Sequence, residues 1–332
     1  MNQIPIIFIK LICFFFILFS IIFPKKCKKY YYFFLCYLKC IQYYHKLNIK
    51  CLSSPREIIF NGLNIFSPEE TLDEIIRNNR SISRFGDGEF KLMLGQEIGF
   101  QEVNDILIKK LNKVLKSNEK GLLIGIFLPY NDDYLRPYIN ATKEYLINWI
   151  ESRKYELFEL IDLNRKYYSS FITRFYIDSK DKSKVPDYIK KLKQIWEKKD
   201  ILIIEGEKSR LGIGNDLFNN SKSIKRILCP AENAFNVYDK IIYEAKKIDK
   251  SILILLALGP TSTVLAYDLY KLGYHVIDIG HIDIEYEWFL RNASEKIPID
   301  NKYVNEISGN KYNFGNFNDT KYYKEIISII TN

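Results

Sequence analysis

From residue 200 onward the chain alternates short, wholly apolar runs with stretches of helical periodicity. Ile201–Glu205, Arg226–Cys229, Ile252–Leu258 and His275–Ile279 read as strands. Glu232–Lys247 and Thr261–Leu272 between them read as helices. The rhythm starts earlier in a less regular form, with strands expected at Arg80–Phe85, Gly121–Phe127 and Ser170–Tyr176. Ser67-Pro68-Glu69-Glu70 has the N-cap, first-turn proline and acidic turn of a helix start. Val103–Lys116 repeats its apolar positions at helical spacing, and further helices are expected over Pro186–Lys198 and over Asp133–Trp149, the latter interrupted by a proline near its start. Buried apolar strands alternating with helices predict an α/β fold: Rossmann-like, a mainly parallel sheet with helices on both faces.

The first fifty residues follow a different pattern. Ile4–Phe23 is a twenty-residue run broken only by Pro5, Lys10 and Ser20, just long enough to cross a hydrocarbon core as a helix. Lys25, Lys26, Lys28 and Lys29 follow at once. Lysines gather on the cytoplasmic side of a span, so the expectation is a single-pass N-terminal anchor with the body in the cytoplasm. A cleaved leader would carry its basic residues ahead of the apolar run. Tyr30–Leu47 mixes aromatics, leucines and lysines, as an interfacial helix does. Ser53-Ser54-Pro55 marks the junction, which divides the chain into a membrane segment over 1–51 and a catalytic-size body over 52–332.

Charge supports this division. The 332 residues carry a formal net charge of +9, yet residues 1–51 hold eight lysines and no acid. The body has 41 basic and 40 acidic side chains, which excludes a nucleic-acid-binding domain as the meaning of the charge. Five of the six cysteines (13, 27, 36, 40 and 51) also lie in the arm, and Cys229 alone lies in the body, so no disulfide framework staples the body.

Four polar, glycine-bearing segments sit at expected strand ends, where ligands bind in parallel sheets. Arg84-Phe85-Gly86-Asp87-Gly88-Glu89 places two carboxylates one residue apart in a glycine-framed turn. Gly86 and Gly88 let backbone approach a ligand, and Asp87 and Glu89 offer the hard oxygens that Mg²⁺ or Mn²⁺ takes beside phosphate. The same acids would equally serve to cap the following helix. Glu205–Asp216 (EGEKSRLGIGND) supplies Arg210 as a planar fork for a diphosphate, and Asn215 and Asp216 as partners for ribose or sugar hydroxyls. It lacks the dinucleotide glycine spacing, and a purely structural loop fits it as well. Gly259-Pro260-Thr261-Ser262-Thr263 opens a helix whose N-terminus attracts phosphate, with hydroxyls on Thr261 and Thr263 as added donors or simple caps. No lysine follows in the manner of a P-loop. Gly280–Trp288 (GHIDIEYEW) packs His281, Asp283, Glu285 and Glu287 after a strand, giving general-base candidates for an acceptor hydroxyl. Acids in a first helical turn, favoured by the dipole, are the alternative.

Together, in this order, the four segments resemble the GT-D type of glycosyltransferase, first catalogued as a domain of unknown function and met in bacterial glycan and glycoprotein assembly. The resemblance covers roughly residues 60–325. It implies a nucleotide-sugar enzyme whose D-x-E metal motif maps onto Asp87 and Glu89. It also implies a donor site lined by Arg84, Gly86, Glu207, Arg210, Asn215, Asp216, Gly259, Thr261 and Thr263. Glu287, His281 and Glu285 are then the candidate bases, needed if the reaction inverts. The expected donor is a UDP-sugar, with UDP-glucose the candidate, and the acceptor a glycan or glycoprotein. The rivals are another nucleotide-dependent Rossmann enzyme and a catalytically silent sugar-nucleotide-binding or membrane scaffold protein.

Overall fold

In a computed structural model of the chain, residues 63–128, 132–162, 164–304, 306–307 and 318–332 are described. The expected membrane span and interfacial helix lie outside the described residues. Among those described, no helix is long and apolar enough to cross a membrane.

The body opens with β1 (Asn64–Ile65), α1 (Pro68–Asn78), β2 (Ser81–Phe85), α2 (Asp87–Met93), α3 (Asp105–Lys116) and β3 (Leu122–Ile126). Next come α4 (Asp132–Leu135), α5 (Asn140–Leu160), β4 (Lys166–Ser169), a 3₁₀ turn at Ser170–Thr173, and α6 (Val185–Lys193). The second half contains β5 (Asp200–Gly206), β6 (Ser223–Cys229), α7 (Tyr238–Ala245), β7 (Leu253–Ala257), α8 (Pro260–Lys271) and β8 (Val276–Asp278). It ends with α9 (Ile282–Leu290), α10 (Thr320–Glu325) and β9 (Ile326–Ile329). The strands form one nine-stranded sheet in the order β1-β4-β3-β2-β8-β7-β5-β6-β9, and each neighbouring pair is parallel.

Local chemistry sets the boundaries. Ser67 caps α1 by accepting from the Glu70 N–H while Glu70 returns the bond to the Ser67 N–H, a reciprocal capping box. Asn104 caps α3 by accepting from the N–H groups of Ile106 and Leu107. Ile106 itself is exposed, so only Leu107, Leu111, Val114 and Leu115 make the buried stripe. Two expectations are corrected. The strand expected at Ser170–Tyr176 lies at Lys166–Ser169, where Gly125 and Ile126 of β3 pair with Tyr168 and Ser169. The chain then turns because the Ser169 hydroxyl accepts from the Phe171 N–H, starting a 3₁₀ helix. The helix expected over Asp133–Trp149 has its expected proline break at Pro137, between α4 and α5, but continues past Trp149 to Leu160.

Period-two alternation along the strands divides the core between two faces. Leu202, Ile204, Ile254 and Leu256 join α3, α5, α7 and α8 on one side. Ile201, Ile203, Leu253 and Leu255 join α1, α6 and α9 on the other. At the far edge, β9 pairs with β6, and Ile327 and Ile329 remain exposed. There the buried Arg226 guanidinium donates to Glu205 of β5 and to Glu325 of α10.

His275, entering β8, is partly buried with Nε2 3.1 Å from the Arg80 carbonyl. Burial pushes its imidazole down to about 4. Between the usual pKa near 6.5 and that value, the unfolded chain takes up a proton that the folded chain refuses. Stability therefore falls as pH drops through this window, by up to roughly 3 kcal/mol. Urea midpoints between pH 7 and 4 are expected to fall more steeply for the wild type than for His275→Gln; parallel slopes would clear His275 of this role.

Candidate active site

Strand order reverses direction in the middle of the sheet. The chain steps from β2 through β3 to β4 toward one edge, and from β5 to β6 toward the other, with β8 and β7 between. Ligands in such sheets lie beyond the carboxyl ends of the strands at the reversal. Here those ends are Phe85-Gly86-Asp87 after β2 and Asp278-Ile279-Gly280-His281 after β8.

One ion pair joins them. Arg84 Nη2 lies 3.2 Å from Asp278 Oδ1, and the Arg84 backbone N–H donates to Asp278 Oδ2 at 3.3 Å. Arg84 Nη1 also donates to the Ser170 carbonyl and the Thr173 hydroxyl, which ties the 3₁₀ turn into the same knot. Burial raises the Asp278 carboxyl above its usual range, although Arg84 opposes the shift. Gly280 has φ +43°, which favours glycine, and a Cβ there would collide with the Arg84 guanidinium and push it from its pairing with Asp278.

Asp87 and Glu89 fall in the first turn of α2, and the two behave differently. Glu89 is buried, and its Oε2 accepts from the Gly86 N–H at 2.6 Å. Burial, with Asp278 and Asp87 nearby, pushes its carboxyl up to about 7. Helix capping is thus part of what Glu89 does. Asp87 is half exposed, and its Oδ2 accepts from Lys91 Nζ at 2.6 Å and from the Tyr145 hydroxyl at 2.9 Å.

Both acids line a groove of about 1090 Å³ whose walls also include Arg84, Arg174, Gly259, Asp278, His281, Lys296 and Glu306. A smaller recess of about 110 Å³ adjoins it, sharing Phe100, Gly259, Gly280, His281 and Tyr303, and extends beneath Gly206, Ser209 and Pro230. The D-x-E turn, the Gly259 turn and the His281 segment therefore meet at one crevice.

The other expected residues are placed elsewhere. Glu207, Arg210, Asn215 and Asp216 are not among the residues lining either space. Glu207 is exposed. Arg210 donates to the Asn301 carbonyl, and Asp216 pairs with Lys193 and Tyr286. Asn215 donates to Asp283 and Glu287. Thr263 gives its hydroxyl to the Arg84 carbonyl, while the wholly buried Thr261 hydroxyl has no partner among the described residues.

Helix α9 explains the fate of the acids. It is buried almost all round, so each carboxylate needs a partner inside the protein. Glu285 accepts from the N–H groups of Tyr176 and Ile177 and faces Arg174 at 3.6 Å. Asp283 accepts from the Gly212 N–H, Asn215 and the buried Lys302. Glu287 accepts from Lys302, Asn215 and Arg291. Each acid fastens a loop, and of the three expected bases only His281 borders the groove.

Sequence reasoning missed Tyr145, Arg174, Asp278, Lys296 and Glu306. Asp278 alone had a local signal, a single acid in the apolar run Val276-Ile277-Asp278-Ile279.

A family model for the glycosyltransferase GT-D fold matches residues 82–307. The chain belongs to the GT-D fold glycosyltransferases. A solved structure described as a domain of unknown function with a distinct glycosyltransferase fold superposes with TM-score 0.77 at 36% identity, covering 83% of this chain and 98% of that one. A second, described as a new glycosyltransferase from Streptococcus sanguinis, gives 0.73 at 35% identity, covering 81% and 100%. Among curated relatives, a probable glycosyl transferase Gly of Streptococcus gordonii is 38% identical over 77% of this chain. Glycosyltransferase GlyD of Streptococcus pneumoniae serotype 4 is 36% identical over 85%. The chain spans only 37% and 34% of those two relatives' own lengths.

The GT-D groove suits a hard cation shared with a ligand. Among the described residues no three His, Cys, Asp or Glu side chains cluster as a complete metal cage. Mg²⁺-type ions, however, take one or two carboxylates and complete their shell with phosphate and water. Asp87 Oδ1 has no partner among the described residues, and the groove is lined by seven carboxyl groups against four Arg and Lys side chains. Asp87 and Glu89 are the carboxylates that would hold such a cation, and it would offset the charge of a diphosphate in this acidic crevice.

The fastening role of Glu285 separates stability from chemistry. Glu285→Ala strands two buried N–H donors and is expected to lower stability by about 3 kcal/mol. Glu285→Gln keeps an acceptor and should lose far less, with transferase turnover within a few-fold of wild type. A hundredfold loss of turnover in a stably folded Glu285→Gln protein would instead make Glu285 a chemical participant.

Proposed function

We propose that this GT-D protein transfers a sugar from a nucleotide-diphosphate donor, UDP-glucose being the first candidate, to a hydroxyl of a glycan or glycoprotein. The observation that carries the reading is the convergence of Asp87, Glu89, Arg84 and His281 on one crevice at the reversal of strand order. A divalent cation held at Asp87 and Glu89 would neutralise charge on the departing nucleotide. Arg84, fixed by Asp278 and Thr173, adds permanent positive charge at the same end. Arg210, Asn215 and Asp216 act through the position of their loop, since Asn215 and Gly212 bind Asp283 while Ser209 and Leu211 line the recess.

His281 is the group placed to take the acceptor's proton in an inverting reaction. It is 31% exposed, and its Nε2 lies 3.6 Å from the position of Glu306 Oε1, where negative charge would stabilise the imidazolium as it forms. Glu287, by contrast, is held ionised by Lys302, and burial alone would have raised its pKa. The N-terminal apolar run with its lysine flank would hold this domain at the cytoplasmic face of a membrane.

The test is release of free nucleotide by the full chain in detergent with Mn²⁺ and a panel of UDP-, GDP- and TDP-sugars. One donor is expected to be turned over, and turnover of none would sink the transferase reading. Asp87→Asn is expected to lower kcat by about 10²–10³, and unchanged metal-dependent turnover in this variant would remove the metal from Asp87. His281→Gln should lower kcat about a hundredfold with little change in donor affinity; an equal rate would mean that no base acts from this position.

A further inference from the structure

One wall of the groove is the segment after α9, and a carboxylate from it lies among three basic side chains. Glu306 contacts Arg174 Nη2, lies 2.6 Å from Lys296 Nζ, and lies 3.6 Å from His281 Nε2. These partners come from three separate places: the 3₁₀ turn after β4, the segment following α9, and the end of β8. All four residues border the groove. Both Glu306 oxygens are buried, and the carboxylate is held by its close contacts with Arg174 and Lys296. Burial alone would raise its pKa, yet Arg174, His281 and Lys296 hold it well below the usual carboxylate range.

Two permanently cationic groups converging on one point in an otherwise acidic crevice make a site for an anion. A guanidinium offers a planar fork and an ammonium a point charge, the pairing that recognises phosphate. We propose that Arg174 and Lys296 form a phosphate subsite of the groove, which Glu306 fills in the free protein and which a phosphate group of the bound substrate takes over by displacing it. The identity of the substrate rests on the transferase reading above; the subsite itself does not. The phosphate can come from the nucleotide-sugar donor or from an anionic acceptor, and both present the same oxygens.

The internal carboxylate then acts as a competitor. Apparent affinity for phosphate is reduced by the fraction of molecules in which Glu306 occupies the subsite, so removing its charge tightens binding. Lys296 is 41% exposed in its side chain, so its truncation leaves the fold intact.

The experiment is calorimetric titration of the full chain with inorganic phosphate, pyrophosphate and UDP. EDTA is present so that no cation at Asp87 contributes. Glu306→Gln is expected to tighten inorganic phosphate and pyrophosphate about threefold to tenfold, and Lys296→Ala to weaken both by at least about threefold. If Glu306→Gln also tightens UDP, the donor supplies the phosphate; if it tightens phosphate and pyrophosphate but not UDP, the acceptor does. Unchanged or weaker phosphate binding in Glu306→Gln, with Lys296→Ala also without effect, would overturn the subsite. Failure of the donor reading looks different: no sugar-nucleotide is turned over, while the Glu306→Gln gain for inorganic phosphate persists.

Discussion

The site depends on the Arg84–Asp278 pair. Strands β2 and β8 are neighbours in the sheet but are separated by 194 residues of sequence between the paired side chains, and only one residue pair, Ile82 and Ile277, registers them directly. The ion pair, doubled by the bond from the Arg84 N–H, fixes how the two carboxyl ends sit beside one another. Arg84 extends this outward to Ser170 and Thr173. The strand-end side of the crevice is built from that knot: the α2 turn that follows β2, the Gly280 turn packed against the guanidinium, and the Thr263 hydroxyl that ties α8 back to the Arg84 carbonyl. A buried pair of this sort contributes position more than stability, because desolvating both charges offsets much of their attraction.

A second organising element is α9. Its acids look like a row of chemical groups in the sequence, and in the fold they are fasteners. Asp283 and Glu287 share Lys302 and Asn215, which joins the loop after β5 to the segment after α9. Glu285 anchors the backbone at Tyr176 and Ile177 beside Arg174. The helix holds two flanking loops at the depth the groove requires. The loop containing Arg210 lines the recess through Gly206, Ser209 and Leu211, while Arg210 itself is turned to the Asn301 carbonyl.

How much of this was legible in the sequence follows from the range of each signal. The parallel α/β architecture was legible because wholly apolar runs such as Leu253–Ala257 have no other use in a sheet covered on both faces. The D-x-E turn, the Gly259 turn and His281 were legible because glycine and polar residues cluster at strand ends. The direction in which an acid points was not. Glu285 and Glu287 are separated by one residue and lie near His281, yet the burial of α9 on all sides turns them inward, and this is a property of α1, α6 and the following segment packing around it. Arg174, Tyr145 and Glu306 gave no local signal, since each reaches the groove from a distant part of the chain. The β4 strand was misplaced by a few residues because Ser170–Tyr176 is apolar enough to read as a strand, while a serine cap, not hydrophobicity, ends the ladder at Ser169.

The edge of the sheet has a consequence for how the protein is made. Strand β6 is covered on its outer side only by β9, and Arg226 finds its second carboxylate only at Glu325, 99 residues further on. At ordinary rates of translation this separation is on the order of 5–20 s. During that interval the nascent domain shows an open ladder edge, with Arg226 neutralised by Glu205 alone. The stretch that closes the sheet is therefore made seconds after the edge it covers, and in that interval the growing chain is exposed to pairing with the wrong neighbour.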